Sequence, residues 1–173
     1  MKFLKIVLFV AVILAIAGIF MPQSYTVKRE ITIAAQADDI RGYVESMDSW
    51  ERWVTWDEVQ PPAENRPAQM QSGVGSGIYF SANSGSGWFV IKSDSAIDGF
   101  EYTTHLDTGN KATGLVRLVE LGPETKVEWI VKGSVKSPPV LAPYIAKSKE
   151  FLVGSELKQN LKNLKKIIEQ EER

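Results

Sequence analysis

Few side chains in this sequence could do acid–base or metal chemistry. The chain of 173 residues has no cysteine and a single histidine, His105, which excludes disulfides, thiolate catalysis and zinc sites built from cysteine or several histidines. Histidine changes charge near neutral pH, so a base-catalysed mechanism would use His105 first. In an alternating strand, however, His105 shares a face with Glu101 and Asp107, which indicates a surface position.

The other candidate motifs do not predict an active site. Asp57 and Glu58 lie in a predicted loop and have no identifiable catalytic partner. Gly73, Gly75 and Gly77 are not followed by a predicted helix, so they do not form a dinucleotide-binding motif. The sequence therefore predicts no catalytic residue, no metal site and no cofactor, and it favours binding over catalysis.

The charge balance argues against a nucleic-acid partner. The formal net charge is −1, and without Lys2 and Lys5 the chain has 18 basic and 21 acidic residues. Nucleic-acid binding needs a concentrated basic surface that releases counterions from the phosphates. We therefore expect a small molecule, a membrane or another protein as the partner.

The N-terminus carries the clearest pattern, an apolar run from Ile6 to Met21 that Pro22 ends. A membrane-spanning helix needs about 20 apolar residues, with about 17 as a practical minimum. The alternative is a cleaved signal peptide, because Ala15-Ile16-Ala17 fits a small-x-small cleavage site. The apolar run continues beyond that site without a polar segment, which favours a retained anchor over residues 1–21, followed by one domain over residues 22–173. Lys2 and Lys5 then predict a cytoplasmic N-terminus and an extracytoplasmic domain.

Strand patterns dominate the region between the anchor and the last thirty or so residues. Runs with alternating apolar residues, separated by turn residues, predict an antiparallel meander. The predicted strands cover residues 25–33, 77–81, 88–93, 100–106, 112–121 and 125–135, and the Pro-rich stretch 59–67 is predicted as a loop. The predicted inward sets include Val27 and Ile31 on the first strand, and Val127, Trp129 and Val131 on the last.

Three helices complete the predicted α+β fold. Asp38 or Asp39 can cap a short helix that ends at Val44, and a second short helix covers residues 49–53. A Pro-rich bend at 137–139 precedes a long C-terminal helix, in which Leu157, Leu161, Leu164 and Ile168 make one apolar stripe. Phe151 is expected to join that core. Gly154 interrupts the helix interior, and it either allows close approach of the helix to the sheet or to a ligand or marks a kink or a neutral substitution.

The C-terminal helix is the only sizeable element left to cover the apolar face of the sheet. A curved sheet that grips one long helix commonly leaves an apolar cavity between them. The chain resembles such a group, the SRPBCC or START-like helix-grip proteins, in particular the polyketide cyclase/dehydrase and lipid-transport branch. The resemblance rests on the order of five motifs, which are Tyr25-x-Val27-x-Arg29-x-Ile31-x-Ile33, Trp50-x2-Trp53-x2-Trp56, Gly73-x-Gly75, Thr125-x-Val127-x-Trp129 and Leu157-x3-Leu161-x2-Leu164.

The fold that this resemblance implies does not by itself choose a function. The one-faced sheet, the amphipathic C-terminal helix and the tether beside a lipid reservoir favour a membrane-tethered module that holds a hydrophobic or lipid-like small molecule between the sheet and the C-terminal helix. Two alternatives remain, a cyclase- or dehydratase-type enzyme with a polar group inside the cavity and a protein-interaction domain with a closed core. The predicted cavity lining is Trp53, Trp56, Tyr79, Trp88, Phe100, Tyr102, Trp129, Phe151 and Leu157. The tryptophans at 50, 53 and 56 form either a gate or packing for a small helix, and the lysines at 158, 162 and 165 form a solvated stripe or a site for acidic head groups.

Overall fold

An apolar helix precedes an antiparallel sheet and a long terminal helix. The computed structural model describes residues 2–55, 66–67, 74–75, 77–82, 85–95, 99–106 and 109–171. The helices are α1 (Lys2–Phe20), α2 (Ala37–Glu45), α3 (Met47–Trp53) and α4 (Ala142–Glu171). The strands are β1 (Ser24–Ile33), β2 (Arg66–Pro67), β3 (Gly77–Ala82), β4 (Gly85–Ser95), β5 (Gly99–Leu106), β6 (Lys111–Leu121) and β7 (Glu124–Ser134).

These strands form one seven-stranded antiparallel sheet in the order β1-β7-β6-β5-β4-β3-β2. The sheet is curved and α4 packs mainly against β1, its first edge strand. This arrangement confirms the predicted α+β helix-grip architecture. The helices α2 and α3 close the same side of the sheet, because α2 contacts β6 and α3 contacts α4.

Alternation of side chains decides which face of the sheet is buried. On β7 the side chains of Val127, Trp129 and Val131 are buried, and Val127 and Trp129 pair with Ile31 and Arg29 on β1. The residues that alternate with them, from Lys126 to Lys132, point outward and are partly buried or exposed. The predicted inward set of β7 is therefore confirmed, and the same parity holds for β5, where Phe100 and Tyr102 are buried.

The turns follow the predicted glycines, but some strand boundaries differ. Gly99, Gly109 and Gly122 have positive φ angles at predicted turns, a conformation that glycine adopts without steric cost. β4 begins at Gly85, three residues before the predicted start of this strand at residue 88, so Gly85 and Gly87 lie in the strand. Arg66–Pro67 was expected to be loop and forms β2. β2 is an edge strand of the sheet, the position at which proline is found in sheets.

The stripe on α4 confirms its predicted packing. Leu157, Leu161, Leu164 and Ile168 are buried against the inner face of the sheet. Pro143 lies in the first turn of α4, where its missing N–H costs no helical hydrogen bond.

Two expectations about helix residues are wrong. Phe151 was expected in the core and is 76% exposed, because it lies outside the stripe that faces the sheet. Neither Asp38 nor Asp39 caps α2, since the residue at the cap is Gln36 and it makes no side-chain capping bond. Both aspartates lie in the first turn, where negative charge interacts favourably with the helix dipole.

Helix α1 is long and apolar enough to cross a membrane, with a mean hydropathy of 2.9. An N-terminal signal sequence would have the same length and apolar character. Its 19 residues span about 28 Å at 1.5 Å per residue, close to the roughly 30 Å of a hydrocarbon core. Its side chains are largely exposed, and its last turns contact the segment that leads into α4.

Candidate functional site

A cluster of aromatic rings fills the space between the sheet, α2 and α3. Trp50 lies at its centre, with ring centroids 5.4 Å from Trp53, 5.4 Å from Tyr102, 5.9 Å from Phe100 and 5.8 Å from Trp129. The ring of Tyr102 covers Gly114 on β6 so closely that a Cβ at Gly114 would overlap it. This part of the interior is therefore packed with side chains, and Trp50 and Trp53 pack α3 onto the sheet.

The polar groups inside this cluster are bonded to protein atoms. The indole of Trp129 donates to the Tyr102 hydroxyl at 2.9 Å, and the indole of Trp50 donates to the Val44 carbonyl at 2.6 Å. Burial raises the pKa of the Tyr102 hydroxyl well above its usual value, because the charged phenolate would lose its hydration. Tyr102 therefore stays protonated at neutral pH and is not available as a base.

A second polar contact ties α3 to α4. The side-chain oxygen of the buried Asn160 accepts from the Thr55 backbone N–H at 2.9 Å and from the Thr55 hydroxyl at 2.6 Å. Asn163 donates to the Trp53 carbonyl at 3.1 Å. These bonds hold the end of α3, and with it Trp53, in a fixed position against α4.

A groove between β1 and α4 has room for a ligand. Its volume is about 530 Å³, inside the range of about 300–1,000 Å³ that ligand sites occupy. The lining residues are Arg29, Glu30, Ile31, Phe151, Gly154, Ser155, Lys158, Leu161 and Lys162. Leu161 and Ile31 form an apolar floor, and Phe151 projects beside it.

Arg29 on β1 lies in the groove with its guanidinium against α4. Arg29 has the same parity as Val27 and Ile31, so it lies on the side of the sheet that faces α4. Its guanidinium donates to the Gly154 carbonyl at 3.1 Å and to the Lys28 carbonyl at 2.8 Å. A Cβ at Gly154 would overlap the end of the Arg29 side chain, so glycine at this position lets the guanidinium lie against α4.

The groove carries more positive than negative charge. Arg29, Lys158 and Lys162 contribute cations, and Glu30, the acidic residue of the lining, lies 3.4 Å from Lys28 in an ion pair. Within the described part of the chain neither groove lysine has an ion-pair partner. An apolar floor with a cationic rim suits an amphiphilic molecule that has an acidic head group.

The chain resembles known proteins in its three-dimensional structure. No family model matches the chain, and no curated protein matches it. The aromatase/cyclase Zhui from Streptomyces sp. R1128 superposes with a TM-score of 0.64 at 16% identity, over 87% of this chain and 96% of that one. Norcoclaurine synthase from Thalictrum flavum gives 0.62 at 15% identity (87% and 97%). A START superfamily protein from Mycobacterium smegmatis gives 0.56 at 21% identity (84% and 97%).

The chain has the START-like helix-grip fold. Of the residues predicted to line the cavity of this START-like domain, Trp53, Phe100, Tyr102 and Trp129 come together in the aromatic cluster, and Leu157 is buried on α4. Phe151 lines the groove instead. Trp56 lies outside the described residues. Tyr79 lies on β3 and pairs with Trp88 on β4.

Trp88 lies on the outer face of the START-like sheet, away from α4. It pairs with His105 and is 46% exposed, whereas its neighbour Phe89 packs against the core. Because Trp88 and Phe89 are adjacent, the sequence alone does not show which of the two rings points inward. The pairing of Phe89 with Thr104 and of Trp88 with His105 shows that Phe89 points inward. His105 is partly exposed on this outer face, in agreement with its predicted surface position.

Sequence reasoning missed Arg29 and Ile31 as groove residues. The alternation along β1 could have revealed Arg29, because it is a cation at an inward position between Val27 and Ile31. Lys158 and Lys162 were recognised as a stripe, and the structure brings them beside Arg29. Lys165, the third lysine of that stripe, instead donates to the Thr32 carbonyl at 2.7 Å and pairs with Glu169.

Proposed function

We propose that this chain is a membrane-tethered binding module for a hydrophobic or lipid-like small molecule held between the sheet and α4. The observation that carries the proposal is the groove of about 530 Å³ along β1 and α4, which has an apolar floor and a cationic rim. The solved structures that share the fold include a norcoclaurine synthase in complex with a transition state analogue. That complex is consistent with a small-molecule role for the fold.

The lining suggests how an amphiphile is held. Its apolar part lies on Ile31, Leu161 and Phe151, where burial contributes about 25 cal/mol for each Å² removed from water. Its acidic group lies near Arg29 and Lys158, whose N–H groups donate charge-assisted hydrogen bonds. In the described interior, the Tyr102 hydroxyl and the side-chain oxygen of Asn160 are engaged with protein groups, so the groove is the part of the described chain that offers polar groups to a ligand.

The ligand proposal is tested by what the full chain retains on purification. Native mass spectrometry and organic extraction of the detergent-solubilised full chain should reveal a bound amphiphile. Phe151→Ser should lower its occupancy, because the exposed ring contributes to binding and little to folding. Leu121→Ser is the matched control, since Leu121 is 50% exposed at the β6–β7 hairpin and does not line the groove. Protein that is repeatedly empty and does not take up a fluorescent fatty acid would contradict the proposal.

The tether places this module beside a source of lipid. Lys2 and Lys5 at the start of α1 favour a cytoplasmic N-terminus and an extracytoplasmic domain. Because the chain has no cysteine, Leu121→Cys provides a single reporter site. A membrane-impermeant maleimide should label this variant in intact cells, and labelling only after lysis would reverse the proposed topology.

A further inference from the structure

The last turns of α1 are joined to the beginning of α4 by specific contacts. The Tyr144 hydroxyl donates to the Leu14 backbone carbonyl at 2.7 Å. Gly18 is buried, and a Cβ at this position would lie 2.5 Å from the Val140 carbonyl oxygen and 3.2 Å from the Tyr144 ring. Glycine therefore allows the segment before α4 to approach α1 directly, as small residues do where helices pack in membranes.

This junction sets the depth of α4 relative to the anchor. Leu14 lies six residues before Phe20, the last residue of α1, which corresponds to about 9 Å along the helix axis. All of α1 is needed to cross a hydrocarbon core of about 30 Å. A group that contacts α1 at Leu14 and Gly18 is therefore brought to the level of the bilayer surface or below it.

The start of α4 presents apolar side chains at this level. Leu141 is 55% exposed, and Tyr144 and Ile145 are also exposed, although all three belong to a segment rich in apolar residues. Leu141 immediately precedes α4, and Tyr144 and Ile145 follow it by three and four residues in the first turn, a spacing that places side chains on one side of a helix. We call these three residues the proximal apolar face. Tyrosine is enriched at membrane interfaces, where its ring is apolar and its hydroxyl finds a polar partner.

The charge of the same segment fits an acidic lipid surface. Residues 136–149 contain three lysines and no acidic residue. Lys147 pairs with Glu150, the residue that follows this segment, at 2.7 Å, so the net positive charge of residues 136–150 comes from Lys136 and Lys149. Basic residues beside a membrane anchor are attracted to anionic lipids.

We propose that the proximal apolar face inserts into the interface of an anionic lipid bilayer beside α1, so that the domain rests on the membrane. The inference rests on the tether of the proposed function and not on the groove ligand. It makes α4 a second contact with the membrane, and it fixes the orientation of the domain relative to the bilayer.

The absence of cysteine from the chain allows a direct test of depth. The variants Leu141→Cys and Ile145→Cys are each labelled with an environment-sensitive fluorophore in the full chain and reconstituted into vesicles of phosphatidylcholine and phosphatidylglycerol. Lipids that carry a quencher near the head group should quench both probes, and their emission should shift to the blue. Leu121→Cys is the matched control, because Leu121 is similarly exposed at the opposite end of β7, and its probe should remain in water.

A fourth variant separates failure of the inference from failure of the tether. Ile13→Cys reports whether α1 itself is in the bilayer. A lipid-exposed probe at 13 together with water-exposed probes at 141 and 145 would overturn the inference and leave the tether intact. Probes at 141 and 145 that are shielded from water but not quenched by lipid would indicate a protein partner or a second copy, which would also overturn it. A water-exposed probe at 13 would remove the tether and the inference together.

The glycine contact provides a matched pair of variants. Gly18→Ala places a methyl group against the Val140 backbone and should reduce lipid quenching at 145, because α4 is displaced from α1. Gly42→Ala on α2 adds the same methyl group where nothing lies within 4 Å, and quenching should not change. Equal quenching in both variants would show that the Gly18 contact does not hold α4 at the membrane.

Discussion

The two halves of α4 use apolar residues in opposite ways. In the second half the large side chains of Leu161, Leu164 and Ile168 face the sheet and are buried. In the first half the small residues Ala142 and Ala146 face inward, whereas large apolar residues such as Leu152 are exposed. The small side chains of Ala142 and Ala146 let the first half of α4 lie close to the elements that it packs against. The large apolar side chains of this half lie on its exposed side.

This difference shows that apolar content alone does not locate the core. Both halves of α4 contain enough apolar residues for a stripe, but only the second half has the sheet's concave face opposite its large side chains. In the first half, Tyr144 contacts α1 and Phe151 lines the groove. The comparison predicts that equivalent substitutions in the two halves have different consequences.

The largest expected difference concerns leucine truncation. Leu164→Ala should lower the free energy of unfolding by about 2–5 kcal/mol, because it leaves a cavity in a packed core. Leu152→Ala, at a position that is 52% exposed, should change it by less than about 0.5 kcal/mol. Denaturant unfolding of the full chain in detergent measures both values, and similar losses for the two variants would contradict the comparison.

A smaller effect is expected where α4 holds α3. Asn160→Ala should lower the free energy of unfolding by about 1 kcal/mol, because the Thr55 backbone N–H and hydroxyl lose their acceptor. Gln159→Ala is the control, since Gln159 is exposed and bonds only the neighbouring Asn163 side chain in the described contacts. The same unfolding assay applies, and an effect at Gln159 as large as at Asn160 would show that the buried contact is unimportant.

The smallest effect is expected at the end of α4 and depends on pH. Glu171 accepts hydrogen bonds from Tyr43 and Arg52, and these bonds lower the pKa of its carboxyl below the ordinary 4.5. Its stabilising contribution is therefore present above pH 4.5 and is lost as the pH falls through the lower folded-state pKa. In Glu171→Gln, the free energy of unfolding should depend less on pH below pH 4.5. The same pH dependence in the variant and the parent chain would show that the contact does not form.

The fold was largely predictable, but the groove was not. The alternation on β7 and the α4 stripe correctly predicted the buried sets, because burial of one face imposes a period on each element. The groove depends on Arg29 of β1 and Lys158 of α4, which are 129 positions apart in the chain. Their proximity follows from the packing of α4 on an edge strand, which no local pattern specifies.

The sequence by itself determined the apolar N-terminal helix, the antiparallel strands with their inward parity, and the buried stripe of α4. Each follows from local spacing of apolar residues. Only the tertiary structure decided that Trp50 and Tyr102 pack against each other, that Phe151 is exposed, and that Tyr144 contacts α1. These outcomes depend on which distant surfaces meet, because packing between elements is set by the shapes of both partners at once.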